Sequence, residues 1–350
     1  MKQIAKVFFL FAVFACPGTR SVRAETEQDK TSSLEQRVGA IEKRLNEGKF
    51  GSMGTILGQQ KISVLLQIKA MHDETPGVVD NFKGKRAEIK LYGDILDQKL
   101  SYVLMIDPFL TSNIAKDAFI TLSYIPHADV QFGQYKFPQN LEGRWSAGDL
   151  DFIERSVVAG TFGDKRDFGL QLSNSKVAVQ TARLEYAVGF FNGTGQNVPE
   201  NNSNKDFAGR FGFEWEGLWL GANGILGREP TGERSRAGGE FRYKYGSAKI
   251  QSEALSGRTE KSAGGPSTRQ QGYYVLANYV WNSLRPGIRW ESWDPDMDAV
   301  NKRQDALTGG LDFFFTSDRK NKVSVNYTAR FEEGTSFAND ELALQLQVAF

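Results

Sequence analysis

The chain has 350 residues, 24% charged and 40% hydrophobic, and its mean hydropathy is −0.42. No apolar run reaches the roughly 18 residues a membrane-spanning helix needs, which excludes a polytopic helical membrane protein. The formal charge of +1 hides an asymmetry: Lys2, Lys6, Arg20 and Arg23 precede the first acid, and without them 39 basic side chains face 42 acidic ones, which argues against nucleic-acid binding by bulk charge.

Two lysines, the apolar stretch Val7 to Cys16 and a polar segment ending Val22-Arg23-Ala24 reproduce the zones of a secretory signal peptide, so residues 1–24 are expected to be removed after Ala24. Cys16 as a lipidated first residue fits less well, because bulky Phe14 precedes it and Pro17 follows. Residues 25–50 are read as a periplasmic coiled-coil segment. Within them Leu34, Val38, Ile41 and Leu45 recur at steps of four and three, the seam of a short coiled-coil helix. Two heptads are too short to be stable alone, so the segment is either a spacer or an oligomerisation stub.

From Gly51 the period changes to two. Thirty-six glycines and 12% aromatics against ten prolines and one cysteine suit many half-buried strands joined by tight turns, without a disulfide framework. Residues 86–94 oppose Ala87, Ile89 and Leu91 to Arg86, Glu88 and Lys90. Residues 341–350 oppose Leu342, Leu344, Leu346, Val348 and Phe350 to Glu341, Gln345 and Gln347. Sixteen such segments centre on residues 65, 90, 104, 121, 132, 170, 186, 210, 222, 241, 251, 276, 289, 311, 327 and 346.

Short links are expected at Asp97-Gln98, Pro126-His127, Asn174-Ser175, Glu216-Gly217, Gly246, Asn282-Ser283 and Ser317 to Asn321. They alternate with long polar links near residues 72–82, 108–115, 138–165, 193–205, 228–235, 257–270, 294–304 and 332–340. Tight turns on one side and long loops on the other, with an even strand number behind a leader, predict an all-β fold: a sixteen-stranded antiparallel transmembrane β-barrel over residues 51–350 in a bacterial outer membrane. A secreted sandwich would show the same alternation, but it has no reason to keep that rhythm of links. A barrel in lipid must close on itself so that every backbone group is satisfied. Tyr124, Phe137, Phe191, Trp215, Trp281 and Trp293 lie near strand ends, where interfacial girdles belong.

If apolar positions face lipid, Arg86, Lys90, Arg183, Arg210, Arg242, Lys244, Arg289 and Arg330 project into the lumen and could draw anions in. On this phase 12 basic and 9 acidic positions share the inner face, an excess too small to separate ion selection from simple wetting of the wall. The third long link contains Leu141, Trp145, Leu150, Phe152 and Ile153, too apolar for a solvated tip and too long to be a plain connection. Folded back into the barrel, it would bring Arg144 or Arg155, with Glu142 and Glu154, near the narrowest point. The only histidines, His72 and His127, fall at opposite barrel ends, and the one cysteine lies in the leader. Catalytic triads, metal sites and cofactors are therefore not expected.

The run Gly133-Gln134-Tyr135-Lys136-Phe137-Pro138, with Leu141-Glu142, Asp149-Leu150 and Phe152-Ile153-Glu154-Arg155-Ser156, resembles the third-loop hallmark of the phosphate-selective porins O and P. Terminal Phe350 resembles the C-terminal mark read by barrel-assembly machinery. The resemblance implies a homotrimeric porin in outer-membrane lipid, its third loop narrowing each pore and basic side chains passing small anions, phosphate among them. The sequence departs from that pattern in having no lysine between Lys136 and Lys165, which weakens phosphate specificity and leaves a general pore, or a structural barrel tethered by its coiled coil, as alternatives.

Overall fold

The computed structural model describes residues 60–95, 99–163, 165–229, 232–260, 265–334 and 337–350. The expected leader (1–24), the coiled-coil helix (25–50) and the Asp97-Gln98 turn lie outside these residues. Among the described residues there are sixteen strands. The first eight are β1 (Lys61–Asp73), β2 (Asn81–Ile95), β3 (Leu100–Ile106), β4 (Ala115–Ile125), β5 (Ala128–Lys136), β6 (Arg166–Val179), β7 (Ala182–Phe191) and β8 (Asp206–Trp215). The others are β9 (Leu218–Glu229), β10 (Gly232–Tyr245), β11 (Ala248–Glu260), β12 (Ser267–Tyr279), β13 (Leu284–Asp294), β14 (Gln304–Phe314), β15 (Lys322–Glu332) and β16 (Glu341–Ala349). All sixteen expected centres fall inside these strands.

Each strand pairs antiparallel with its sequence neighbours, and β1 pairs with β16 to close the barrel. The last residue completes the seam: Phe350 accepts from the Val64 N–H at 2.7 Å and donates to the Val64 carbonyl at 3.1 Å. Closure leaves no sheet edge, the condition for a sheet to sit in hydrocarbon.

The alternation resolves into two faces of opposite character. On β16, Leu342, Leu344 and Leu346 are 43–48% exposed, whereas Ala343, Gln345 and Gln347 are at most 3% exposed. The same division puts Phe207, Phe211 and Phe213 outside and Arg210 inside on β8, and Phe241 and Tyr243 outside and Glu240 inside on β10. A polar, charged interior beneath an apolar exterior inverts the soluble sandwich, whose apolar side chains would meet one another.

Three local expectations are corrected. Asn174-Ser175 is no turn: the β6–β7 pairing shifts register between Asn174 and Val177, β6 runs on to Val179, and the reversal falls at Gln180-Thr181, with Gln180 at φ 54°. A bulge adds a residue without ending a strand, and its polar residues read like a turn in sequence. The long link at 228–235 collapses, since β9 ends at Glu229 and β10 begins at Gly232; the polar residues around it extend the two strands. Of the expected girdle residues, Tyr124, Trp215 and Trp281 are exposed, but Phe137, Phe191 and Trp293 are buried. They lie on the inner phase and pack with the third long link: Phe137 and Phe191 ring centroids are 4.5 Å apart, and Trp293 meets Phe162 edge-on at 5.2 Å.

Candidate pore constriction

The third long link, residues 137–165 and here called L3, opens with a single helical turn, α1 (Leu141–Arg144). Asn140 caps it, accepting from the Gly143 N–H at 3.1 Å. The first N–H groups of such a turn have no partner within it. Those of Leu141 and Glu142 donate instead to the Glu253 carboxylate on β11, at 2.7 and 2.8 Å, and Tyr274 Oη donates to the same group at 2.5 Å. Gly163, at the far end of L3, sits against Asn140; a Cβ there would lie 1.8 Å from Asn140 Oδ1. L3 thus begins and ends at one point, and only glycine permits the closure.

Beyond α1 the wall holds the loop at successive points. Gln347 donates to the Gly148 carbonyl at 3.0 Å, and Arg285 and Lys322 donate to the Leu150 carbonyl at 3.0 and 2.9 Å. Asp151 is paired with Lys249 and, at 2.9 Å, with Arg285. The Ile153 N–H donates to Asn326 Oδ1 at 2.7 Å, and Lys85 donates to the Ile153 carbonyl. Glu154 is paired with Lys85 at 2.8 Å and Lys69 at 3.2 Å, while Arg289 donates to its carbonyl at 2.9 Å.

Apolar contacts fill the rest. Phe152 packs with Tyr274 and Leu276, and Val158 and Phe162 pack with Leu255 and Trp293. Wall glycines make the room: a Cβ at Gly310 would lie 2.9 Å from the Phe152 ring, and one at Gly272 would lie 2.8 Å from Val158.

The anchor points fix where L3 runs. Arg144 is ion-paired with Glu185 on β7, whereas Leu150 and Ile153 are held by Lys322 and Asn326 on β15. In a closed ring of sixteen strands these two lie opposite each other, so L3 crosses the lumen. Water follows it: Glu154, though it faces the inner wall, has a side chain 48% exposed, and that of Arg144 is 32% exposed. Burial would raise the Glu154 carboxyl, but the Lys85 and Lys69 ammonium groups outweigh it and hold the group below its ordinary value. Asp151 is likewise raised by burial and, more strongly, lowered by Lys249 and Arg285.

The residues singled out in the sequence divide by partner. Glu142 is on L3 but 1% exposed, and it accepts from the Ser156 N–H at 2.9 Å and Oγ at 2.7 Å, which makes it a strut inside the loop. Arg155 donates to the Trp145 carbonyl at 2.7 Å. Arg210 grips Glu240 through two bonds of 2.8 and 2.6 Å and also pairs with Glu185, so Glu185 bridges Arg210 to Arg144. Arg86 donates to Gln67 at 2.9 Å, and Arg289 lies 2.7 Å from Glu291. Arg330 meets Glu341 at 3.1 Å. Toward the short-turn end, Arg183 pairs with Glu214 at 2.6 Å and Arg242 with the same carboxylate at 3.3 Å. Lys90 lies 4.8 Å from the Tyr92 ring, and Lys244 is exposed.

Two residues that grip L3, Lys85 and Lys69, are not among those singled out in the sequence. Lys85 lies where the β1–β2 register jumps from Gln67↔Arg86 to Ile68↔Gly84. As the extra residue of a bulge it turns inward beside Arg86 instead of outward. Lys69 shares the inner phase with Gln67, 3% and 1% exposed; the phase was legible in β1, but its partner Glu154 was not. The lysines missing from the loop itself are supplied by the wall.

No curated protein sequence matches the chain. Solved porins share its fold. An anion-selective porin from Comamonas acidovorans is 12% identical at a TM-score of 0.62, covering 83% of this chain and 99% of that one. OmpF of Salmonella typhi is 13% identical at 0.63, covering 84% and 98%. The trimer form of OmpT, an outer-membrane protein of Vibrio cholerae, is 10% identical at 0.62, covering 84% and 100%. The family model for phosphate-selective porin O and P matches residues 222–350, downstream of the loop on which the resemblance was read. From within β9 to the last residue, therefore, the sequence matches the phosphate-selective porins O and P, and the barrel which that segment completes has the porin fold.

Proposed function

We propose that this chain is a porin of the bacterial outer membrane, a water-filled channel through which small hydrophilic solutes diffuse, with a modest preference for anions. The observation that carries the reading is the course of L3: it crosses the lumen between β7 and β15, yet Glu154 and Arg144 on it stay wet. Sixteen-stranded porin barrels leave an aqueous bore, and a loop laid across it narrows the path. Confined charge then sets an electrostatic barrier.

The preference is modest because most inner cations are matched. Lys85 and Lys69 face Glu154, Lys249 and Arg285 face Asp151, and Arg210 faces Glu240 and Glu185. Phosphate specificity would need unmatched cations at the narrowest point, so general passage of small anions is the better reading. A homotrimer in outer-membrane lipid, processing after Ala24, a coiled-coil stub over residues 25–50 and delivery by barrel-assembly machinery through Phe350 complete the proposal. No catalytic step or cofactor is invoked.

In a planar bilayer under a KCl gradient, the purified protein should conduct and give a reversal potential of anion-preferring sign. A reversal potential of cation-preferring sign would reject the preference, and absent conductance restored by deleting L3 would favour a plugged structural barrel.

A further inference from the structure

Where L3 leaves and rejoins the wall, a cavity of about 540 Å³ opens between the loop's two stems and the fourth long link. Among the described residues its lining includes Lys165, Arg166, Arg234 and Arg236 and no carboxylate. Two of these cations are tied back from behind: Arg166 holds Asp117 at 2.7 Å, and Arg234 holds Asp206. Arg236 lies over the Phe162 ring at 4.9 Å, which orients its guanidinium. Lys165 is exposed at the rim.

Into this basic cavity faces Gln139, which is 0% exposed. Among the described residues neither its amide oxygen nor its amide nitrogen has a hydrogen-bond partner. A buried amide left unmatched is destabilising, and native proteins keep such groups mainly where something else completes them.

We propose that this cavity is a binding site for a hydroxylated organic anion, a sugar acid or a sugar phosphate, captured where the stems of L3 meet the wall. The inference rests on the porin reading above and names its solute. The cations demand acceptor oxygens, while the Gln139 amide demands one donor and one acceptor on the same ligand. A fully ionised, acceptor-only anion such as sulfate meets half of that demand. Size points the same way, since sites of 300–1,000 Å³ suit molecules well beyond a single tetraoxyanion.

The test uses the mature protein in a planar bilayer carrying a chloride current, with gluconate, glucose 6-phosphate, sulfate or sorbitol added on the long-loop side. Gluconate or glucose 6-phosphate should block saturably at a concentration at least about tenfold below sulfate, and sorbitol should not block. The stronger of the two sugar anions identifies the head group as carboxylate or phosphate. Gln139→Leu and Lys165→Gln should each raise the half-blocking concentration about tenfold, and Lys320→Gln at a short turn should leave it unchanged. Heat-modifiable gel migration reports whether each variant folds, and Lys165→Gln carries the test if Gln139→Leu does not. Absence of saturable block, equal block by sulfate, or indifference to folded variants at both positions overturns the site. The two readings fail separately: a cation-preferring reversal potential with saturable gluconate block sinks the anion preference and leaves the site, and the converse sinks the site alone.

Discussion

Asp151 shows how a single carboxylate can fasten a loop. Its side chain is 2% exposed and sits between Lys249 and Arg285, which are 12% and 14% exposed. Removing one member of a buried ion pair costs roughly 3–5 kcal/mol, because the partners' charges stay behind. Asp151→Asn should destabilise the detergent-folded barrel by about the lower end of that range, since the lumen is wet, and should add open-channel noise. Guanidinium unfolding and single-channel recording check it; an unchanged unfolding midpoint would show that Asp151 does not hold the loop. Gly310 tests the same dock without charge. A Cβ there would meet Asn326 Nδ2 at 2.4 Å and the Phe152 ring at 2.9 Å, so Gly310→Val should displace the Asn326 amide that holds Ile153. Overpacking of this kind costs about 1–3 kcal/mol, read in the same unfolding assay.

At the scale of elements, strands and loop differ in how far the sequence reveals them. The strands were legible because lipid outside and water inside impose a period of two on every segment. Misreadings came where that period slips: the bulge at Asn174 to Val177 looked like a turn, and the one at Lys85 hid a lumen-facing lysine. L3 was legible as an inserted apolar loop from Leu150, Phe152 and Ile153, but its anchors were not. Glu253 on β11, Asn326 on β15 and Gln347 on β16 meet L3 across 111 to 199 residues of chain, and no local pattern encodes such pairings. The sequence also presented Glu142 and Glu154 alike, although one is a buried strut and the other a wet ion-pair partner.

The dock also fixes the loop's response to acid. Glu154 and Asp151 titrate below their ordinary values of 4.5 and 3.8 in the folded barrel. A carboxyl depressed by folding contributes stability that is complete above its unfolded pKa and is lost as pH falls through the folded one. The Asp151 and Glu154 ion pairs should therefore persist from pH 7 to about 5 and weaken only below about pH 4, where the parent should acquire the open-channel noise of Asp151→Asn. A parent channel as quiet below about pH 4 as at pH 7 would show that these two carboxylates do not hold the loop.

For the whole molecule, closure is the property on which the rest depends, and its last bonds are made by Phe350. Its N–H and carbonyl bond to Val64, while its ring, 77% exposed, points outward. The two features can be separated. Phe350→Ala keeps both backbone bonds and removes only an exposed ring, a change of the kind usually confined to about ±0.5 kcal/mol. Deleting Phe350 removes the bonds as well and leaves Val64 unpaired at the seam, where each unmet backbone group in an apolar surround costs several kcal/mol. If the ring is what assembly machinery reads, Phe350→Ala should refold in detergent with an unfolding midpoint near that of the parent, yet accumulate poorly in outer membranes. The deletion should fail on both counts. Equal loss of stability in the two variants would make the ring part of the barrel's own energetics, and normal membrane accumulation of Phe350→Ala would dismiss it as a recognition mark.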